Sequence, residues 1–158
     1  MTLNFYRFRS DWVLDAPLAD VYDVLERLAD YPAWWPQVRQ VRDLGDELYE
    51  LVCRATLPYD LVFRTRQARR DRAGGVLAAE MSGDLVGFSR WTLAPYGEGT
   101  LAVFDEEVIL GKPLLRKLAP VARPAFRVNH TLMMRDGRYG LSAYLAGLRH
   151  VRTSAAPG

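Results

Sequence analysis

The C-terminal third of the sequence carries the pattern that most restricts the fold. Between residues 125 and 149, residues suited to one inward face recur at steps of 4, 3, 4, 4, 3 and 4: Phe126, His130, Met133, Gly137, Leu141, Tyr144 and Leu148. This spacing predicts a single α-helix that continues through the Asp-Gly pair at 136–137. Such a helix is about 37 Å long at roughly 1.5 Å per residue, so it can cross an entire small sheet. Pro120 and Pro124 are expected to bound or kink the segment before it.

The middle of the chain is predicted to supply that sheet. Short turns such as RAGG at 72–75 and GEG at 97–99 separate six strand-like segments, which are 38–45, 47–57, 59–71, 75–84, 87–97 and 100–110. Connections this short join antiparallel neighbours. The alternating stretch FYRFRSDWVL at 5–14 predicts one more strand at the start, half-buried, which makes about seven.

Two adjacent tryptophans follow the first predicted helix. That helix has Pro17 in its first turn and apolar residues at helical spacing from Leu18 to Leu28, and Pro32 is expected to end it. The following segment, with Trp34 and Trp35, is predicted to form a short second helix or a turn. Two such rings either pack as core or cover the mouth of a pocket, and the sequence leaves both roles open.

Composition and charge exclude several function classes. The formal net charge of the 158 residues is +2, too small to indicate binding to nucleic acid or to an anionic membrane. Cys53 is the only cysteine, so no internal disulfide and no common zinc pattern is possible. The start lacks a signal-peptide pattern and no apolar stretch approaches roughly 20 residues. We therefore expect a cytoplasmic protein without a metal or other cofactor and without stable membrane insertion.

The predicted order is strand, helix, short helix, six strands and long helix. This order predicts an α+β fold in which a curved antiparallel sheet wraps around the C-terminal helix. The segments APLADVYDVLERLADYPAWWPQV, RWTLAPYGEGTLAVF and RPAFRVNHTLMMRDGRYGLSAYL, in this order, resemble the START-like (SRPBCC, helix-grip) superfamily. Within it, the chain is most similar to the bacterial polyketide cyclase/dehydrase and lipid transport families. We expect one such domain over residues 1–151 and a flexible tail over 152–158.

The resemblance covers nearly the whole chain and implies a helix-grip fold. Its members include lipid carriers, hormone receptors, quinone binders and aromatic-polyketide cyclases, so the fold does not choose among these functions. It favours a cavity between the sheet and the long helix as the site of function.

Side-chain parity selects the residues that face this cavity. In the segment 59–71, the residues predicted to face inward alternate from Tyr59 to Gln67. In the segment 87–97, Trp91 is predicted to face inward. In the segment 75–84, Glu80 is expected on the outer face. Combined with the helix face and the two adjacent tryptophans, this yields a candidate ligand-binding set: Trp34, Trp35, Tyr59, Phe63, Gln67, Trp91, Asn129, His130, Met133, Gly137 and Tyr144.

Several of these residues have a structural alternative. A glycine inside a helix costs about 1 kcal/mol relative to alanine. Gly137 therefore either leaves space for a ligand or lets a strand residue such as Trp91 press against the helix. His130 is either a hydrogen-bonded core residue or a catalytic candidate. Glu106 and Glu107 lie on opposite faces, so one of them can point inward. An ion pair across the outer face of the sheet is favoured over an inward carboxylate, with Arg64, Arg66 or Arg90 as the partner.

We therefore expect the protein to bind a hydrophobic small molecule, such as a lipid, a quinone or a polyketide-like aromatic. The alternative is a cofactor-independent polyketide cyclase in which His130 acts as the base. Since the predicted inner rows are mainly apolar and contain no clear acid/base pair, binding is favoured. The sequence predicts no oligomeric state.

Overall fold

The computed structural model of the protein describes residues 4–54 and 58–156. The helical elements are α1 (Leu18–Glu26), a 3-10 turn (Leu28–Asp30), α2 (Tyr31–Trp34) and α3 (Pro113–Ala155). The strands are β1 (Phe5–Leu14), β2 (Val38–Asp43), β3 (Leu48–Cys53), β4 (Leu61–Asp71), β5 (Val76–Gly83), β6 (Leu85–Tyr96) and β7 (Gly99–Leu110). The predicted α+β arrangement is confirmed, although residues 55–57, expected at the end of β3, lie outside the described residues.

The seven strands form one antiparallel sheet in the order β1-β7-β6-β5-β4-β3-β2. The last strand returns to pair with the first over its whole length, from Phe5 opposite Ile109 to Leu14 opposite Thr100. β1 and β2 therefore lie at opposite edges, and the chain must cross the width of the sheet between them. The segment with α1, the 3-10 turn and α2 makes that crossing, which places the two adjacent tryptophans at one end of the sheet.

The first helix is shorter than its apolar spacing predicts. It ends at Glu26, before the 3-10 turn, so Pro32 does not end it. Pro32 instead lies in the first turn of α2, where its missing N–H would have no helical partner anyway.

The long helix exceeds its predicted length at both ends. It begins at Pro113 and contains Pro120 and Pro124, which were expected to lie outside it. Each proline removes one helical hydrogen bond, but both lie on the exposed side, where water can satisfy the freed carbonyls. At the other end the helix includes the first residues of the predicted tail, and Arg152 Nη1 lies 3.0 Å from Asp20 Oδ1 of α1.

All four tryptophans and Tyr31 form one connected group of aromatic rings next to the C-terminal half of α3. The ring centroids of Trp34 and Trp35 are 5.3 Å apart, those of Trp12 and Trp35 5.7 Å, and those of Trp12 and Trp91 4.8 Å. We refer to Trp12, Trp34, Trp35 and Trp91 as the tryptophan cluster. With Leu141 and Leu145 of α3, which are 0 and 2 % exposed, this cluster fills one end of the space between helix and sheet.

Gly137 and Gly140 allow this close packing. A Cβ atom at Gly137 would lie 2.6 Å from Trp35 Cε2 and 3.0 Å from Trp12 Cη2. A Cβ atom at Gly140 would overlap the backbone oxygen of Trp34. The structural alternative for Gly137 therefore holds, although Trp35 and Trp12, rather than Trp91, press against it.

Candidate functional site

A cavity lies between the N-terminal half of α3 and the concave face of the sheet, next to the tryptophan cluster. Its volume is about 160 Å³, counted as the space open to the centres of water molecules. On this measure about 10–15 Å³ accommodates one water, so the cavity can hold a sizeable guest. Its surface is predominantly apolar and is lined by side chains of all seven strands, of the 3-10 turn and of α3; among them are Phe8, Leu28, Leu51, Phe63, Met81, Phe104, Phe126 and Met134.

Seven of the eleven predicted ligand contacts line the cavity. They come from the segment after α2, from β4, from β6 and from α3, and they are Trp35, Phe63, Gln67, Trp91, Asn129, His130 and Met133. The predicted inner parities of β4, β5 and β6 are confirmed, since Phe63, Leu77 and Trp91 are buried while Glu80 is exposed. Contact of these residues with a ligand stays a prediction.

The other four predicted contacts lie outside the cavity lining. Trp34 is 3 % exposed in the packed cluster, and Gly137 is covered by Trp35 and Trp12. Tyr59 makes an edge-to-face contact with the ring of Phe126, which does line the cavity. Tyr144 is half-buried because the next residue, Leu145, takes the inward position in this turn of α3. The helical period correctly predicts an inward face, but it does not tell which part of that face is covered by other side chains.

The structure places a carboxylate and an imidazole together inside the cavity. Nε2 of His130 on α3 is 3.1 Å from Oε2 of Glu106 on β7, and these side chains are only 15 and 9 % exposed. The preference for an outer-face ion pair is thus wrong for Glu106. Glu107 does lie on the outer face, but it pairs with Arg7 and not with one of the three arginines that were expected. Glu106 shares its parity with the buried Phe104 and Val108, which was the available sign that it points inward.

Packing holds the imidazole in position. The ring of His130 is stacked on Phe8 with 3.7 Å between centroids and 7° between planes. Phe8 lies directly opposite Glu106 in the pairing of β1 with β7. Because one strand pair supplies both the stacking ring and the carboxylate, the imidazole plane and its hydrogen-bond partner are set together.

The floor of the cavity is a row of small and polar residues across the sheet. Strand pairing aligns Glu106 with Ser89, Ser89 with Ala79, and Ala79 with Gln67. The neighbouring row of inward-facing residues on the same sheet consists of Phe104, Trp91 and Leu77. Since strands are about 4.8 Å apart, the small row forms a trough about 14 Å long with a carboxylate at one end and an amide at the other.

Two further cavity residues have buried oxygens without a hydrogen-bond partner among the described residues. These are the hydroxyls of Tyr6 and Thr65. Burying a hydroxyl without a partner costs on the order of 1–3 kcal/mol. Strand parity assigns Thr65 to the inner face. Only the folded structure shows that the hydroxyls of Tyr6 and Thr65 have no hydrogen-bond partner among the described residues.

Comparison with known sequences places the chain in a family. Residues 7–142 match the sequence profile described as polyketide cyclase / dehydrase and lipid transport. The chain belongs to this family. No curated protein sequence matches it.

Solved structures share the fold of this family member at low sequence identity. The protein TTHA0849 of Thermus thermophilus is 17 % identical with a TM-score of 0.79, over 90 % of this chain and 99 % of that one. The ZhuI aromatase/cyclase of Streptomyces sp. R1128 is 15 % identical with a TM-score of 0.77, over 97 % and 99 % of the two chains. A START superfamily protein of Mycobacterium smegmatis is 14 % identical with a TM-score of 0.65, over 91 % and 98 %. These likenesses confirm the START-like, helix-grip fold.

Burial determines the chemistry of two other groups at the site. It raises the pKa of the Cys53 thiol to about 12, and the nearby Glu106 carboxylate contributes in the same direction. The thiol is therefore protonated at neutral pH and is a poor nucleophile. Burial also raises the pKa of Tyr31, whose hydroxyl donates to the carbonyl of Leu25 at 2.7 Å. Neither group is suited to act as a base.

The described part of the chain contains no group of three or more His, Cys, Asp or Glu side chains arranged to hold a metal ion. Among its helices, none is both long and apolar enough to span a membrane.

Proposed function

We propose that the protein binds a hydrophobic, flat small molecule in the cavity between α3 and the sheet. The observation that carries this proposal is the small-residue trough of Ser89 and Ala79, roofed by α3 and bordered by the aromatic row of Phe104 and Trp91. A flat guest can lie between such walls, whereas bulkier residues in the same row would fill the space.

Affinity and selectivity come from different parts of the site. Transfer of apolar surface from water contributes about 25 cal/mol per Å², and the predominantly apolar lining supplies that term. Orientation comes from the few polar groups, since Tyr6 and Thr65 have hydroxyls free to bond a guest and the trough has Glu106 and Gln67 at its ends. A guest with oxygens near both ends of a flat apolar body fits this pattern better than a plain acyl chain.

Two matched alanine-to-leucine substitutions, one in the cavity and one on the surface, test the binding proposal. Ala79→Leu fills the trough, whereas Ala94→Leu makes the same change on the exposed side of β6. Fluorescence titration with an apolar dye, and native mass spectrometry of freshly purified protein, should show a ligand in the wild type and in Ala94→Leu. Ala79→Leu should bind at least about tenfold more weakly without a loss of melting temperature, because about three methylene-sized groups occupy the site. No dye or ligand in the wild type, or equal binding by the two variants, would refute the proposal.

A second candidate function is a cofactor-independent cyclase of the aromatase/cyclase type, and the His130–Glu106 pair favours it. When the neutral imidazole of His130 donates its Nε2–H to the Glu106 carboxylate, Nδ1 carries no proton and is the basic nitrogen. In an apolar site such a base can remove a proton next to a carbonyl, and a cyclisation needs that step. The buried hydroxyl of Tyr6 is a donor for the oxyanion that would form.

Catalysis and binding are separated by testing both in the same variants. A β-polyketone thioester should cyclise faster in the presence of the wild type, measured by the absorbance of the aromatic product. Glu106→Gln keeps a hydrogen-bonding side chain of the same size and should lower the rate by at least about tenfold while dye binding persists. Dye binding without any acceleration by the wild type would leave the protein a binder and exclude the cyclase.

A further inference from the structure

The outward side of α3's N-terminal half exposes apolar side chains to solvent. Leu118 is 49 % exposed, Val121 87 % and Val128 58 %. Pro120 and Pro124 lie exposed between them, so the apolar atoms are close together rather than scattered. Single exposed apolar residues are common on protein surfaces, but a cluster on one helix indicates a surface that another phase or molecule covers.

The same side of the helix is cationic. The whole of α3 contains eight arginine or lysine residues and one acid, Asp136, and residues 108–135 contain no acid at all. Arg116, Lys117 and Arg127 are exposed, and no acidic side chain in the described ranges lies within ion-pair distance of them. By contrast, Arg152 near the C-terminal end of the helix is paired with Asp20. The net charge of +2 for the whole chain conceals this concentration of positive charge.

A shallow cleft with several arginines follows the outer side of this helical segment. Leu132 and Arg135 of this helix line the cleft with Arg39 of β2 and Arg54 after β3. Asp136, which also lines the cleft, is bonded to Gln37 and Arg135. Arg54 is paired with Asp60, so the cleft carries less unpaired positive charge than the helix surface beside it. We define the outer α3 surface as Arg116, Lys117, Leu118, Val121, Arg127 and Val128.

We propose that the outer α3 surface docks the protein on an anionic phospholipid bilayer. Exposed apolar side chains interleaved with unpaired cations are what an interfacial amphipathic helix uses, since the apolar groups enter the acyl boundary and the cations meet lipid phosphates. Docking of this kind lies on the membrane and needs no spanning helix. The charge pattern, with no acid in 108–135, selects an anionic surface over an apolar groove of another protein.

Docking would bring the cavity beside the membrane. The opposite side of the same helical segment carries Phe126, Asn129 and His130, which line the cavity. Pro120 and Pro124 weaken the hydrogen-bond ladder of this segment, so it is the part of α3 that can shift with the smallest loss of helical bonding. The docking proposal goes beyond the proposed binding function, and its test does not depend on a cavity ligand.

Vesicle flotation with two matched variants tests the docking. Val121→Glu places an acid in the outer α3 surface, whereas Val13→Glu makes the same change on an exposed valine of β1. The wild type and Val13→Glu should float with phosphatidylcholine vesicles that contain phosphatidylglycerol and not with phosphatidylcholine alone. Val121→Glu should partition at least about tenfold less, because it loses apolar burial and adds repulsion. Raising salt from about 0.1 M to about 1 M, which shortens the Debye length from about 10 to about 3 Å, should release the wild type.

Three results would overturn the docking proposal. These are no flotation of the wild type with anionic vesicles, equal loss in the two variants, and a dimer in light scattering that Val121→Glu dissociates. The last result would assign the surface to a second copy of the chain. Dye binding by Val121→Glu, measured in the absence of vesicles, should match that of the wild type, so a failure of docking is distinguishable from a failure of the proposed function.

Discussion

The two halves of α3 cover the same sheet with opposite results. Under the C-terminal half, three members of the tryptophan cluster lie so close to Gly137 and Gly140 that neither position has room for a Cβ atom. Under the N-terminal half, Phe126, His130 and Met133 face a cavity. The difference arises from neighbouring rows of one sheet, since Phe104 and Trp91 belong to a bulky row and Ser89 and Ala79 to a small one. The same helix and the same strands run through both regions, so the backbone does not explain why only one of them has a cavity. The volume of the side chains in each row of the sheet explains it.

The largest expected effect is the loss of a tryptophan from the packed end. Trp35 is 5 % exposed, and its indole N–H donates to the carbonyl of Met133 at 2.9 Å. Trp35→Ala should lower the free energy of unfolding by about 3–5 kcal/mol, as for other buried aromatic residues. Met133→Ala, at the cavity, should cost about 2 kcal/mol or less, because part of its side chain already faces open space. Urea unfolding measures both, and equal losses would contradict the contrast between the two halves.

A smaller effect is expected from glycines of the same helix. Glycine to alanine in a helix normally stabilises by up to about 1 kcal/mol. Gly140→Ala should instead destabilise by about 1–3 kcal/mol, because its Cβ overlaps the Trp34 backbone, which cannot move as a side-chain end can. Gly147→Ala is the control and should stabilise, since its added Cβ meets no described atom within 4 Å other than those of its chain neighbours and of the surrounding helix backbone. Thermal unfolding that shows stabilisation by both would mean that the packed end is looser than the structure describes.

The smallest expected effect is on the pH dependence of stability, which reports whether water reaches Cys53 at the cavity end. The folded pKa of Cys53 is raised to about 12 by burial and by Glu106, whereas an unfolded thiol has a pKa of about 8.5. The unfolded chain therefore loses this proton first, so the contribution to stability is complete below about pH 8.5 and is lost progressively as pH rises towards 12. Between about pH 8.5 and about pH 9.5 the wild type should lose about 1 kcal/mol more than Cys53→Ala. Identical pH profiles would show that water reaches the thiol.

The site could be predicted from the sequence only in part, and the residues show why. Period-two alternation correctly assigned Phe63, Gln67 and Trp91 to the concave face, and the helical period assigned His130 and Met133 to the inward face of α3. The same periods also selected Gly137 and Tyr144, which do not line the cavity, because a period identifies a face and not what covers it. For Glu106, parity was informative, but a cross-strand ion pair with an outer-face arginine was preferred. Its partner, His130, comes from a different element.

The order of elements, the strand faces and the existence of one long helix were determined by the sequence itself, because they follow from local periodicity and turn chemistry. Only the tertiary structure decided where helix and sheet touch and where they separate. Contact between them depends on the combined volumes of side chains from β1, β6, β7, α2 and α3, which are far apart in sequence. The cavity, its histidine–glutamate pair and the cationic apolar surface on the other side of α3 are consequences of that packing.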